Sequence, residues 1–328
     1  MRKWIGIPIF AVLTGCQTIG FYSQGALGQA EILWKAKPSR AVIAAAETSP
    51  AIRERLSFAL ELCDFASEHL ALPGDSAYHR YTDLGRDHVV YVLYAAKEFS
   101  MQPKQWFYPI VGELDYRGYF KKADAETYAE SLRAQQYEIY LGGTDAFSTL
   151  GYFHDPVLNT FADYPEIDFA ETIFHELTHR RIFKKGETMF NESLANTVAE
   201  EGVRRFLRSK GRLSDLTDYE QRLIRRREFY QEIERSREQL TALYAGTMPV
   251  PEMRARKAQI LAQLKKRAQA LQRRWGGKQL ENWLALDLTN AHLISLITYN
   301  QDMPRFKQLL DEAGGDFERF FKMVETLD

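Results

Sequence analysis

The chain has 328 residues, enough for one large domain or two modest ones, and 45% of them are hydrophobic, enough for a real core. A formal net charge of −1 provides no bulk attraction to nucleic acid or to a strongly charged partner. No stretch resembles a P-loop or a zinc ribbon.

The first residues read as a targeting segment rather than as fold. Arg2 and Lys3 are basic, and Trp4 to Leu13 is an apolar run too short to span a bilayer. Leu13-Thr14-Gly15-Cys16 resembles the bacterial lipobox, in which cleavage precedes the cysteine and the cysteine is acylated. Residues 1–15 are therefore expected to be a lipoprotein signal peptide, and Cys16 the lipidated residue. The alternative is an ordinary signal peptide with an incidental cysteine. Several acyl chains would anchor the protein stably, since each buried methylene contributes about 0.8 kcal/mol. Gln17 follows the cysteine where an Asp would mark inner-membrane retention, so the expected location is the outer membrane, facing the periplasm. Cys63 is then left without a disulfide partner, and its apolar helical context from Leu56 onward predicts a buried core thiol, not a nucleophile.

Tyr22 to Lys37 reads as a helix with apolar Ala26, Ile32, Leu33 and Trp34. An amphipathic helix is expected over 50–72, stopped by Pro73-Gly74. Residues 85–97 fit either a helix or a buried strand, and periodicity does not decide between them. The next region is β-rich over Trp106–Gly112 and Tyr116–Phe120, followed by a helix from Ala123 to Gln135. Tyr137–Leu141 alternates as a strand and should stop at Gly142-Gly143, and Ala146 to Phe153 reads as a further strand broken by Asp155-Pro156. The segment 147–153 is a candidate sheet edge for pairing with an extended substrate, with an ordinary core strand as the alternative.

The organising motif comes next. His175-Glu176-Leu177-Thr178-His179 is an HExxH sequence on a predicted helix from about Glu166 to Lys184, with Gly186 as its C-terminal stop. Helical spacing puts His175 and His179 on one face, where both imidazoles can reach one Zn2+ ion, and Glu176 can act as general base on a water at that metal. A hydrolytic zinc site needs a third protein ligand and an open position. Glu192 is the leading candidate because it opens the next helix after a short turn; Glu200 and Glu201 are alternatives further along. Asn196 lies on the Glu192 face, suited to hold a ligand imidazole, and Glu171, one turn before His175, could do the same. An oxyanion donor is also wanted, and Tyr152 and Tyr299 are the candidates, with Tyr116 and Arg117 behind them.

Residues 217–275 read as an antiparallel helical hairpin. Its first arm carries Tyr219, Leu223, Tyr230, Ile233, Leu240 and Tyr244 at coiled-coil-like spacing. Pro249-Val250-Pro251 makes the turn, and Met253, Ile260, Leu264, Leu271 and Trp275 follow. The basic groups Arg225–Arg227, Lys265–Arg267 and Arg273-Arg274 are read as a solvated face, with contact to an anionic membrane surface as the sharper alternative. After 276 the chain is helical, with Asn290-Ala291 and Thr298–Asn300 set in an apolar helix ended by Asp302–Pro304, and a last helix to the C-terminus.

Asn191-Glu192-x-x-Ala195 resembles the Asn-Glu signature of gluzincins, the HExxH peptidases whose third ligand is a Glu on a following helix, although the connecting loop is shorter here. More broadly, a set of motifs in this order resembles a family of bacterial lipoproteins known as predicted or putative aminopeptidases: the lipobox, Trp106–Phe120, Ser148–Phe153 with Asp155–Leu158, the HExxH core, Asn191-Glu192 and Asn290-Ala291. The resemblance spans nearly the whole mature chain and implies a zinc metallopeptidase. An aminopeptidase further needs a carboxylate for the substrate's free amine, for which Glu113, Asp115 and Asp155 are available.

The expected fold is α+β and mostly helical, with a small mixed β-sheet packed on the HExxH helix and a long antiparallel helical hairpin. The expected organisation is a catalytic core over 16–210, the hairpin as an insertion at 211–275, and C-terminal helices over 276–328 completing the core. The expected function is a membrane-tethered zinc peptidase acting on peptides, with no nucleic-acid partner. Two alternatives stand beside it: an endopeptidase, and a non-catalytic envelope lipoprotein with a structural zinc and a partner-binding hairpin.

Overall fold

A computed structural model describes residues 10–108, 112–146, 154–297 and 303–327, with side chains from Gly20 onward apart from Ser76 and Ile297. The N-terminal helix α1 (Phe10–Lys35) is followed by strand β1 (Lys37–Pro38), the short α2 (Ser39–Ala44) and α3 (Pro50–His69). Helix α3 starts where its sequence says it should: Ser49 caps the amide of Ile52 at 3.3 Å, and Pro50 takes the first helical turn, where its missing N–H costs nothing. It buries Leu56, Ala59, Leu62, Cys63 and Ala66 along one stripe. The Cys63 thiol is buried and burial pushes its pKa up to about 12, which leaves it inert.

The sheet region runs β2 (Arg80–Thr82), β3 (Val90–Lys97), β4 (Trp106–Tyr108), β5 (Gly112–Leu114), β6 (Arg117–Tyr119), helix α4 (Lys122–Ala134), β7 (Tyr137–Thr144) and β8 (Val157–Leu158). Instead of one small mixed sheet, the described strands form two three-stranded sheets and a hairpin. The order β1-β2-β8 is mixed, with β1 antiparallel and β8 parallel to β2. The order β6-β3-β7 is antiparallel, and β4 pairs with β5. The ambiguous segment 85–97 becomes the central strand β3, and its ambiguity has a physical cause. Leu93 and Ala95 pack with Ala129 and Leu132 of α4, while Tyr94 and Ala96 pack with Ala291 and Ile294 further along the chain. A strand covered on both faces reads as a continuous apolar run. Strand β7 does not stop at Gly142-Gly143, because Val90–Val92 of β3 pair with Thr144–Gly142 and carry the ladder on.

The remaining chain is helical: α5 (Asn159–Ala162), α6 (Glu166–Arg181), α7 (Thr188–Ser209), α8 (Leu213–Ala245), α9 (Val250–Trp275), α10 (Glu281–Leu284), α11 (Asn290–Ile297), α12 (Met303–Glu312) and α13 (Phe317–Glu325). The final helix is thus two helices, separated at Gly314 and Gly315, whose φ of +69° and +76° suits glycine. Helix α6, which carries the HExxH sequence, packs chiefly against α7 and α3. Its core residues Phe169, Ile173, Phe174 and Leu177 sit among Phe65, Leu70, Leu194, Val198 and Phe206. Val90 of β3 and Val157 and Leu158 of β8 bring both three-stranded sheets to this core. Gly202 allows the close approach: a Cβ there would lie 2.8 Å from Phe174 Cδ2 and 2.9 Å from Leu70 Cδ1.

Helices α8 and α9 form the hairpin, closed by Phe229, Ile233, Leu240, Leu264, Ala268 and Leu271. Phe229, not Tyr230, faces the seam, and Tyr219 and Leu223 join the main core. Much of the basic sequence is neutralised locally: Arg267 contacts Glu232 at 2.6 Å, Arg274 contacts Glu228 at 2.7 Å, and Arg226 bridges Glu171 and Glu200 at 2.7 and 3.0 Å. Buried Asn290 clasps the hairpin to the sheet. Its Nδ2 donates to the carbonyls of Lys97, Glu98 and Ser100, and its Oδ1 accepts from the Tyr244 hydroxyl at 2.9 Å. Glu200, also buried, gathers Arg204, Arg226 and Lys307 from α7, α8 and α12.

Gly202→Ala should destabilise the fold by about 1–3 kcal/mol in chemical denaturation, through overpacking against Phe174 and Leu70. Glu200→Gln leaves three cations around a neutral amide and should cost about 3 kcal/mol at neutral pH. Burial raises the Glu200 pKa, but Lys307, Arg226 and Arg204 outweigh it and hold it below the usual carboxylate range. The contribution is therefore present above the unfolded-state pKa and is lost as pH falls through the lower folded-state value, so the two proteins should converge in acid.

Candidate metal centre

Helix α6 begins after Pro165, with Glu166 and Asp168 in its first turn, where the helix dipole favours negative charge. It ends at Arg181 rather than near Lys184, and Gly186, at φ +79°, shapes the turn that follows instead of capping the helix. Asn191 fixes that turn. Its Oδ1 accepts from the Lys184 amide at 2.8 Å and its Nδ2 donates to the Lys184 carbonyl at 2.7 Å, so one buried side chain ties the middle of the connection to the first turn of α7. The following residue, Glu192, is thereby carried to the histidine face of α6.

Three side chains converge there. His175 Nε2 and His179 Nε2 are 3.1 Å apart, His175 Nε2 lies 3.3 Å from Glu192 Oε2, and His179 Nε2 lies 3.6 Å from Glu192 Oε1. These separations can be compared with a tetrahedral zinc site. Bonds of roughly 2.0–2.2 Å place neighbouring ligand atoms about 3.3–3.6 Å apart. The donor set of two imidazoles and one carboxylate is a hydrolytic zinc set. Glu192 Oε2 is buried and has no well-formed hydrogen bond among the described residues. The three groups are therefore compatible with zinc.

Asn196, one turn beyond Glu192, places Oδ1 2.9 Å from His175 Nδ1. That contact keeps the proton on Nδ1 and leaves the Nε2 lone pair aimed at the centre. Glu171 is not the group that orients His175; it receives Arg226 at 2.7 Å. Glu200 and Glu201 are likewise engaged elsewhere, Glu200 with its three cations and Glu201 with Arg205 at 3.0 Å.

The electrostatics follow from burial and this crowding. Burial pulls both imidazoles toward neutrality. For His175, the adjoining Glu192 carboxylate, with Glu176 and Asn196, more than offsets burial and raises the pKa to about 9. For His179 burial wins, and the pKa falls to about 4. Glu192 is held below the ordinary carboxylate range by the two imidazoles despite its burial. Glu176 is pushed up to about 7 by burial, with Glu192 and Asp155 adding to the rise against His175. A carboxylate in that range is suited to accept and return a proton near neutral pH.

The centre opens into a cavity of about 1100 Å³. Glu176 and the three converging groups line it from α6 and α7, Val90, Val92, Tyr116 and Gly118 line it from the sheet, and Phe21, Gln24 and Gly25 line it from α1. Tyr152, Tyr299 and the edge segment 147–153 lie outside the described residues, as does the Cys16 side chain. Tyr116 is on the cavity wall, whereas the Arg117 guanidinium stacks over the Phe21 ring at 3.9 Å. The carboxylates named for amine recognition are not cavity groups. Glu113 is exposed, Asp115 accepts from Gln105 at 3.1 Å, and Asp155 is buried against Arg180 at 3.2 Å. The cavity instead presents Asp145, Asp168, Glu171 and Glu187. Asp168 and Glu171 are paired with Arg222 and Arg226, and Asp145 is held by His88 and by the Tyr164 hydroxyl at 2.5 Å. Nothing in the sequence signalled Asp145 or the α1 wall; the Asn191 staple was visible only as half of an Asn-Glu pair.

The profile of the family described as "Putative aminopeptidase" matches residues 20–328. Neither the curated proteins nor the solved structures include a significant match to the chain.

Metal analysis gives a direct check on the three converging groups. The purified chain should carry one zinc, and His175→Ala, His179→Ala and Glu192→Ala should each lose it on dialysis. Asn196→Ala should keep the metal with affinity weakened roughly 10–100-fold. Full zinc retention by Glu192→Ala would place the third ligand elsewhere.

Proposed function

This chain belongs to the putative aminopeptidase family, and from that premise we propose that it is a zinc-dependent peptidase releasing residues from the amino ends of peptides. The observation that carries the proposal is the convergence of His175, His179 and Glu192 beside Glu176 on the wall of one large cavity. In this reading His175, His179 and Glu192 hold the zinc and Asn196 orients His175. Bound zinc would supply a Lewis acid for the scissile carbonyl and would acidify an attacking water.

The protein groups do the rest. Glu176 takes the proton from the attacking water and returns it to the leaving amine, a role for which its position one residue beyond His175 and its partial burial are suited. A hydroxyl donor on the cavity side stabilises the oxyanion; Tyr116 joins Tyr152 and Tyr299 as a candidate. The acidic lining suits a free ammonium group, and Glu187, which has no ion pair among the described residues, and Asp145 are the carboxylates we assign to it. A structural zinc would have no use for a carboxylate in the place of Glu176, which argues against a non-catalytic lipoprotein.

We further propose that the protein is tethered through an acylated Cys16 to the outer membrane, facing the periplasm. The support is the order of basic start, short apolar run, lipobox and Gln17 in the sequence.

Glu176→Gln should keep its zinc and lose turnover by roughly 10²–10⁴-fold, read as zinc content and peptide-cleavage rate on the same preparation. Full activity in that variant would sink the mechanism. Among Tyr116→Phe, Tyr152→Phe and Tyr299→Phe, at least one should lower kcat with little change in KM. Intact turnover in all three would remove tyrosine from the oxyanion role.

A further inference from the structure

Helix α1 has two unlike sides. One side belongs to the protein: Phe21, Gln24 and Gly25 line the cavity, Gly28 lies against the Phe120 ring, and Ile32 is buried in the main core. The other side has no cover. Leu27 is 71% exposed and Trp34 is 92% exposed, the two most exposed large apolar side chains among the described residues. They sit seven residues apart, so helical spacing puts them on one face, with exposed Ser23 and Ala30 between and beside them. Counting back from Leu27 in steps of four and three passes exposed Ser23 and Gly20 and reaches Cys16, the residue the lipobox marks for acylation. No Asp, Glu, Lys or Arg occurs from Phe10 to Ala30. The first acid, Glu31, is neutralised by Lys35 and Arg86, both at 2.8 Å, and exposed Lys37 and Arg40 follow immediately.

From these observations we infer that α1 lies along a lipid surface, with Leu27 and Trp34 seated in the interface and Lys37 and Arg40 at the level of anionic headgroups. No described helix is long and apolar enough to cross a bilayer, so the fit is to a helix lying on the membrane. Tryptophan suits that depth, having an apolar body and a polar N–H. An uncharged face ending in basic residues suits an anionic leaflet better than it suits a charged protein partner. Because the opposite side of the same helix walls the cavity, the membrane would brace one wall of the peptide site. The inference rests on the tethered-peptidase reading for its anchor, but its subject is the seating of α1.

The test separates the two. The acylated full chain, in a Cys63→Ala background, is labelled with a nitroxide at Leu27→Cys, Trp34→Cys or, as a control on the exposed hairpin, Lys266→Cys. Each protein is reconstituted on vesicles of 3:1 phosphatidylethanolamine to phosphatidylglycerol, checked by flotation, and probed with oxygen and with a water-soluble nickel chelate. Labels at 27 and 34 should favour oxygen over nickel several-fold more than the label at 266, and only when vesicles are present. Flotation with all three labels equally open to nickel would overturn the seating of α1 while leaving the acyl tether intact. Shielding at 27 and 34 from both reagents, with spin–spin broadening, would mean that a second copy covers the face, and would also overturn it. A chain that does not float and keeps its labels in water would remove tether and seating together.

Discussion

The structure depends on how closely α6 and α7 pack. Two imidazoles from one helix and a carboxylate from the next can meet within 3.1–3.6 Å only if the helices lie nearly in contact and in a fixed register. Two features supply this. Gly202 removes the side chain that would hold α7 away from Phe174, and Asn191 satisfies both backbone groups of Lys184, which makes the short connection a defined turn. Hydrophobic burial of Phe169, Ile173, Phe174 and Leu177 then drives the pair together. Burial costs the polar groups their hydration; setting the two imidazoles against the Glu192 carboxylate offsets part of this, while Glu192 Oε2 and His179 Nδ1 have no hydrogen bond among the described residues.

Farther along α7 the same logic recurs without any chemistry. Glu200 lies on α7 two turns beyond Glu192 and is as buried as a core residue, yet its charge is met by Arg204, Arg226 and Lys307. Arg226 comes from the hairpin and also holds Glu171 on α6. The hairpin is thus tied to both helices of the candidate metal centre by one guanidinium, which gives its basic sequence an internal function. Proposed catalytic carboxylates and structural carboxylates are distinguished here by their partners, imidazoles in one case and fixed cations in the other.

Much of the site was legible in sequence because it is local. The HExxH spacing puts both imidazoles on one face whatever surrounds the helix, and Glu192 and Asn196 share a face of the following helix for the same reason. What the sequence could not supply was long-range. Strand β3 hid its strand character because both faces are covered, and β7 ran past two glycines because β3 was there to pair with it. The amine-site candidates Glu113, Asp115 and Asp155 were chosen by type, and only folding decides that Asp145 and Glu187 reach the cavity instead. Glu171 looked well placed to orient His175, but Arg226, 55 residues away in sequence, claims it. The wall contributed by α1 was invisible for the same reason.

We propose that the three converging side chains hold a zinc that serves peptide hydrolysis. It is tested most directly by digesting a mixed peptide library with the purified chain, first stripped by a chelator and then restored with zinc, and identifying every product. No cleavage is expected after stripping, and after restoration the stepwise loss of single residues from free amino ends, with N-acetylated peptides spared. Cleavage that persists without metal, or none after zinc is restored to a folded chain, would contradict it.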